Sequence, residues 1–376
     1  MGGQMGEVNP VHAAQERLRR FADHEAAGIS PLYAHLASHA ADDDEIAGLL
    51  AEAGADGDAH PTLLLAAAHR LIQAEPIHPL SRYYPSLGGM DGVDGATWSE
   101  FRAFLLDRAD KVRELVRTRF TQTNEVNRAA VLYPAVARAA KQAKGKVGLL
   151  EVGCSAGLLL GMDRFAYQYR LPGGEQVAAG PKKTPVGLHC AVELADGAEP
   201  PKVPAKLNVG AKVGLDRHPV DAQDDEELAW LEACVWADQP DRIRMLRTAA
   251  AAQAKDTPAL VEGDAVEGLA RAAEQVPEEL PLVVFSSHVL IYMDTDQREA
   301  FVTALGELAA RRPLWWASLE SYEAGLGLVL PERDELDYAT TARPTLGLVT
   351  WDDGKATGEA LALADPHGQR MTWLGA

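Results

Sequence analysis

Residues 149–160 read LLEVGCSAGLLL, and the five residues Gly153-Cys154-Ser155-Ala156-Gly157 inside that stretch admit two incompatible readings. As G-x-S-x-G they form the nucleophile elbow of an α/β-hydrolase, with Ser155 as the attacking hydroxyl. As E-x-G-x-S-x-G they form a glycine-rich turn leaving a strand, where the backbone can come close to a nucleotide-like ligand. The choice between them decides the fold.

An elbow serine sits on a central strand, so strands should precede it. Almost everything upstream of Gly153 instead carries helical periodicity. In FRAFLLDRADKVRELVRTRF, residues 101–120, the positions Phe101, Phe104, Leu105, Val112, Leu115, Val116 and Phe120 share one face of a single amphipathic helix. VHAAQERLRRFADHEA and the more apolar HPTLLLAAAHRLIQ read likewise, with breaks near residues 54–61 and 85–95. The hydrolase order of serine, acid and histidine can be filled by Ser155, Asp264 and His288 or His367. The upstream strands and an HGGG-type oxyanion loop are missing from the sequence.

Downstream of Lys146 the pattern changes. KVGLLEVG reads as a strand and SAGLLLGMDRFAYQY as a helix, then come the strand AKVGLD and one helical run from DDEELAWLEAC to AAAAQAK. ALVEGDA, PLVVFSS and PLWWASLE read as further strands, separated by helices, and TLGLVTWDD and ALALADPHGQRMTWLG as an antiparallel terminal pair around an Asp-Gly turn. Residues 170–206, rich in Gly, Pro and Lys, read as an insertion carrying one short strand, VGLHCAVE. Alternating strands and helices imply a parallel sheet covered on both faces. The expected organisation is a helical domain over 1–144 that caps a doubly wound α/β domain over 145–376.

Composition narrows the function. The 376 residues carry 36 Lys and Arg against 55 Asp and Glu, a formal charge of -19, which disfavours a nucleic-acid partner because that binding draws on cationic contacts. No apolar run approaches the ~18 to 20 residues needed to span a bilayer, and MGGQMGEVNP lacks the features of a signal peptide. Three scattered cysteines fit a reducing cytoplasm, and no His, Cys or acid spacing marks a metal site. The expected partner is a small molecule, with a protein partner or a homo-oligomer left open.

In a doubly wound sheet, ligands bind at the carboxyl ends of the strands, and functional residues should recur there. Glu151 and Gly153 end the first strand, with Ser155 and Gly157 in the turn. Asp216 ends the second strand, where a carboxylate can accept from vicinal ribose hydroxyls, and Asp264 ends the third, placed for an adenine amino group. Each acid alone is equally well a helix N-cap; the ordered set is more specific. Ser287, His288 and Tyr292 follow the fourth strand on the substrate side, where His288 titrating near neutrality suits a general base. In TQTNEVNR, a helix would put Asn124 and Arg128 on one face as substrate contacts, with Glu125 three residues from Arg128. Asp163 and Arg164 read as an interior ion pair, and Glu320 and His367 as weaker site candidates.

That order of strand-end residues resembles class I S-adenosylmethionine-dependent methyltransferases, which implies S-adenosylmethionine as cofactor and Glu151, Gly153, Ser155, Gly157, Asp216 and Asp264 as its binding set. Nicotinamide dehydrogenases are the nearest competitor, but they place the ribose acid ~20 residues beyond the turn, whereas Asp216 lies ~60 beyond Gly157. The chain from about Ser30 onward also resembles the bacterial DUF2332 family, common in actinobacteria. The stretches that carry this are SPLYAHLA, HPLSRYYPS, TRFTQTNEVNRAAVLYP, LLEVGCSAGLLLGMDRFAYQY, GLDRHPVD, WLEACVWADQPDRIRMLR, GDA and DPHGQRMTWLG. The resemblance implies a methyltransferase-like Rossmann fold with little established chemistry; secondary metabolism is the setting expected for a reaction on this fold other than methyl transfer. Two positions depart from the pattern: Leu159 stands where many members carry Asn, and Lys212 where an Arg is usual. Methyl transfer to a small molecule is the expected activity, with catalysis by His288, Glu125 and Tyr292. An intramolecular displacement or elimination without the sulfonium, or a non-catalytic nucleoside- or partner-binding protein, are the alternatives.

Overall fold

The computed structural model describes residues 9–53 and 60–375. Most of the opening MGGQMGEVNP, and the 54–61 break except for its last two residues, lie outside the described residues. The helices are α1 (Pro10–Arg20), α2 (Pro31–Ala40), α3 (Asp44–Ala51), α4 (Pro61–Gln73), α5 (Thr97–Asp107), α6 (Ala109–Thr118), α7 (Arg128–Gln142), α8 (Asp225–Cys234), α9 (Pro240–Gln253), α10 (Leu269–Ala273), α11 (Thr295–Ala309) and α12 (Tyr338–Thr341). The strands are β1 (Val147–Val152), β2 (Ala166–Arg170), β3 (Gln176–Ala179), β4 (Gly187–Leu194), β5 (Val209–Asp216), β6 (Ala259–Glu262), β7 (Leu282–Ser287), β8 (Leu314–Glu320), β9 (Thr345–Asp352), β10 (Lys355–Ala364) and β11 (Arg370–Trp373). Two compact units result, Met1–Thr123 with Asp224–Arg247 and Asn124–Gln223 with Thr248–Ala376. The boundary thus falls before α7 rather than at residue 144, and a second helical stretch joins the first unit.

All strands lie in one sheet of order β3-β2-β4-β11-β10-β9-β8-β7-β1-β5-β6. The parallel segment β6-β5-β1-β7-β8, numbered in chain order, runs 3-2-1-4-5, so the winding reverses between β1 and β7. Strands buried on both faces read as continuous apolar runs, and β1 and β7 do so in VGLLEV and LVVFSS. Leu150, Val152, Val213, Leu215, Val284 and Trp316 point to one face, packed with residues of α10 and α11. The alternate residues point the other way: Trp315 donates to Gln142 Oε1 of α7 at 2.7 Å, so α7 covers the opposite face. Among the described residues no helix is long and apolar enough to cross a membrane, and the three cysteines are free.

Several expectations need correction. The single helix over 101–120 breaks at Arg108, which leaves helical geometry (φ -122°) to pair with Glu75 at 2.8 Å and to donate to the Phe104 carbonyl at 3.1 Å. The run from α8 to α9 is likewise interrupted, after Cys234. The glycine turn leads into a short 3-10 segment, Leu158–Arg164, and then β2, because AYQYR alternates buried aromatics with period two. The insertion contributes β3 as well as β4, and β4 pairs in parallel with β11. β9 and β10 form the expected antiparallel hairpin, but ALALADPHGQRMTWLG is two strands, β10 and β11, with DPHG in the bend. TQTNEVNR is not a helix, since α7 begins only at Arg128, and the Glu125 side chain instead accepts from the Asn127 N–H at 3.2 Å.

The α11 face of the sheet is anchored by Phe301, fully buried and edge-on to Trp316 with ring centroids 5.6 Å apart. Phe301→Ala is expected to cost about 3–5 kcal/mol through the cavity it leaves. A urea titration followed by tryptophan fluorescence would show this as a lowered midpoint; an unchanged midpoint would mean that the sheet does not depend on this contact.

Candidate functional site

The chain leaves β1 through three residues of positive φ, Gly153 (72°), Ser155 (49°) and Gly157 (65°). A Cβ at Gly153 would sit 2.1 Å from Val289 Cγ2, so both backbone and space require glycine there. Ser155 is held in its unfavourable backbone region from two sides. Its N–H donates to Asp216 Oδ2 at 2.7 Å, and its hydroxyl accepts from Asn124 Nδ2 at 2.9 Å. Asp216 Oδ1 accepts from the His218 N–H at 2.9 Å, so one carboxylate ties the end of β5 to the turn after β1. Asp264 follows β6, and Gly263 donates its N–H to the Asp216 carbonyl at 2.8 Å, which brings the two acids to adjacent strand ends. Arg217 donates to Asp264 Oδ2 at 2.6 Å and Val266 N–H to Oδ1 at 2.8 Å. Burial works to raise the Asp264 pKa, and the Arg217 and backbone bonds outweigh it and hold the group below the usual carboxylate range.

Glu151, the last acid of β1, is 4% exposed, and its Oε2 has no hydrogen-bond partner among the described residues. Burial first and the Asp216 charge second push its pKa well up, with Arg128 opposing. Arg128 opens α7, is itself buried, and donates through Nε to the Pro366 carbonyl at 2.9 Å. Its charge also reaches Glu320 and His288. Glu320 closes β8, as Glu151 stands one residue before the end of β1. It accepts from the N–H groups of Val289 at 3.0 Å and Leu290 at 3.2 Å, and burial pushes it up to about 7 against the pull of these bonds and of Ser286.

His288 follows β7 with φ 55°, and its Nε2 is buried without a hydrogen-bond partner among the described residues. Burial, then Arg128 and His367, push it down to about 3. The expectation that His288 titrates near neutrality is therefore corrected: it is a neutral, weakly basic ring. Ser287 Oγ is buried without a hydrogen-bond partner among the described residues. Tyr292 is 82% exposed at the end of a 3-10 turn and stands out to solvent. Glu125 is buried, with Oε2 3.3 Å from Nδ1 of the half-exposed His367.

Asn124, Ser155 and Asp216 are thus linked by hydrogen bonds, and Arg128 connects Glu151, Glu320 and His288 electrostatically. Sequence reasoning underrated Glu320, although an acid ending the apolar strand LWWASLE is the same signal that marked Glu151. It also missed Val289, which fills the space over Gly153. Asp163 and Arg164 do not pair with each other: Asp163 meets Lys212 Nζ at 2.8 Å, while Arg164 lies 3.5 Å from Asp256. Lys212, at one of the two departing positions, is a buried structural cation between Asp163 and Asp256. Among the described residues no group of three or more His, Cys, Asp or Glu could hold a metal ion.

A family model described as an uncharacterized protein conserved in bacteria (DUF2332) matches residues 15–373. No curated protein matches the chain.

Glu320 makes stability depend on pH in a calculable direction. Its folded pKa of about 7 lies above the ordinary 4.5, so the folded state keeps a proton that the unfolded chain releases. The stabilisation is complete below the unfolded value and is lost as pH rises through the folded one. Glu320→Gln keeps an acceptor for the two N–H groups and removes the ionisation. Relative to this variant, the native chain should lose roughly 3 kcal/mol between about pH 4.5 and pH 8. Urea midpoints across that range measure the difference, and parallel curves would refute it.

Proposed function

The chain belongs to the DUF2332 family of bacterial proteins, and we propose that it is an enzyme that binds S-adenosylmethionine where β1 and β5 end and transfers the methyl group to a small molecule. The observation that carries this reading is Glu151. A buried carboxyl with an unbonded oxygen, beside a glycine turn and near a second acid, gains most from a ligand that brings a cation. The 3-2-1-4-5 order and its reversal at β1 and β7 support a Rossmann-type, methyltransferase-like sheet, whose ligands lie outside the carboxyl ends of the strands.

The residues fit the cofactor in kind. Glu151 would take the α-amino group, and Asp216, whose two accepted N–H bonds leave lone pairs on both oxygens, would take ribose hydroxyls. Asp264 would meet the adenine amino group. When bound, the cofactor supplies an electrophilic methyl on a cationic sulfur, which the acids around the turn favour. The same acids disfavour the pyrophosphate of a dinucleotide. That ligand would also want the N-terminus of an α-helix after the turn, where the chain instead has a seven-residue 3-10 segment.

One observation favours a second reading, a nucleoside-binding protein or an enzyme of this fold that does not use the sulfonium. The space a Cβ would occupy at Gly153 is filled by Val289, and at Gly157 it is bounded by Leu260 and Pro258, so these glycines make room for packing.

Calorimetry separates the readings. S-adenosylmethionine and S-adenosylhomocysteine are expected to bind and NAD not to, with affinity reduced at least ~10-fold in Glu151→Gln, a loss of about 1.4 kcal/mol. Asp216→Ala should abolish binding, because it removes the turn clamp together with the ribose contact. Absence of binding at millimolar cofactor would reject the methyltransferase reading.

A further inference from the structure

Building on the reading that an acceptor is methylated here, we infer that His367, oriented by Glu125, is the base that takes a proton from the acceptor, and that the acceptor's nucleophile is therefore a hydroxyl or an amine. Glu125 Oε2 lies 3.3 Å from His367 Nδ1, with the carboxylate side chain 5% exposed and the imidazole 42%. The contact is an ion-pair distance rather than a formed hydrogen bond, and a buried carboxyl beside Nδ1 leaves Nε2 as the ring nitrogen open to a substrate.

The pair is built into the fold, unlike a chance surface contact, which would be worth little. Gly368 has φ 73°, and a Cβ there would sit 2.4 Å from the Asn127 carbonyl oxygen, so glycine is what lets the DPHG bend approach the segment ahead of α7. Arg128 Nε donates to the Pro366 carbonyl at 2.9 Å, and Asn127 Nδ2 to that of His367 at 3.4 Å. Glu125 is pinned in turn by the Asn127 N–H on its other oxygen. Pro366, next to His367, accepts from Arg128, and Asn124, next to Glu125, donates to Ser155, which sets the pair near the turn after β1. His288 is too weak a base at neutral pH, and Glu320 is occupied by the backbone of Val289 and Leu290.

The step balances. A lone pair of the acceptor oxygen or nitrogen forms the bond to the methyl carbon as the carbon–sulfur bond breaks, and that electron pair stays on sulfur, leaving a neutral thioether. The acceptor's proton passes to Nε2, and the Glu125 charge stabilises the imidazolium.

Nitrogen-15 NMR of the full chain tests the pair without cofactor, with His367→Asn identifying the resonances. His367 should carry its neutral-form proton on Nδ1, and Glu125→Gln should transfer part of that population to the Nε2-protonated tautomer. A proton on Nε2 in the native chain, or a tautomer unmoved by Glu125→Gln, would overturn the inference; the tautomer in the native chain decides even if the variant does not fold. Calorimetry with S-adenosylmethionine keeps the two claims apart. Native protein that fails to bind refutes the methyltransferase reading whatever the NMR shows, while His367→Asn should bind within about twofold of native. Methyl label from S-adenosylmethionine recovered on a thioether or a tertiary nitrogen would refute the acceptor class alone.

Discussion

The Asp216 carboxylate is the contact on which the site depends. One oxygen takes the Ser155 N–H and the other the His218 N–H, so a single side chain at the end of β5 fixes the path of the chain leaving β1. Three positive φ values in five residues are costly unless surrounding bonds determine them, and Ser155 is the one least able to supply that geometry itself. The sheet register brings the acid to that place, since Val152 pairs with Leu215 one residue before each strand's functional end. Hydrogen bonds to a charged acceptor are stronger than neutral ones, which suits a clamp at a strained turn.

Burial is the main reason that Glu151 resists ionisation, and fixing the turn in this way adds the Asp216 charge close to it. Two acids near one another in a low-dielectric setting cannot both ionise cheaply, and Arg128 relieves only part of the conflict. The arrangement therefore stores a preference for a positive group beside β1. Arg128 reaches Glu151, Glu320 and His288 at once, and it disfavours protonation of the imidazole while favouring the carboxylates. Burial dominates the acid–base character of all three groups, and one guanidinium, bonded to the DPHG bend, modulates each of them.

The strand-end acids were legible in the sequence because a carboxylate at the end of an apolar run is a strong local anomaly, as Glu151 and Asp216 are in β1 and β5. The parallel strands and the terminal hairpin were legible for a related reason, since runs such as PLVVFSS can only be buried. Helix continuity was less legible. Phe101 to Phe120 keeps its apolar face on both sides of Arg108, so periodicity alone cannot register a break made by one side chain pairing with Glu75. The segment 121–127 misled for the opposite reason, because Glu125 bonds to the Asn127 N–H while Asn124 and Asn127 bond to remote partners, in place of the helix that their spacing allows. Long-range partners such as Glu125 and His367 leave no trace in spacing, since they meet only after β10 and β11 have formed.

The carboxylates near the ends of β1 and β8 divide the remaining work. Glu320 accepts the Val289 and Leu290 N–H groups and so fixes the turn after β7, while the Val289 side chain rests on Gly153. The turn after β7 is thereby packed directly on the turn after β1, at the point where the winding of the sheet reverses. Glu151 has no such backbone duty on its free oxygen. Of the two acids, one is consumed by structure, whereas the other keeps an oxygen without a hydrogen-bond partner among the described residues, so the two side chains carry different duties at the same end of the sheet.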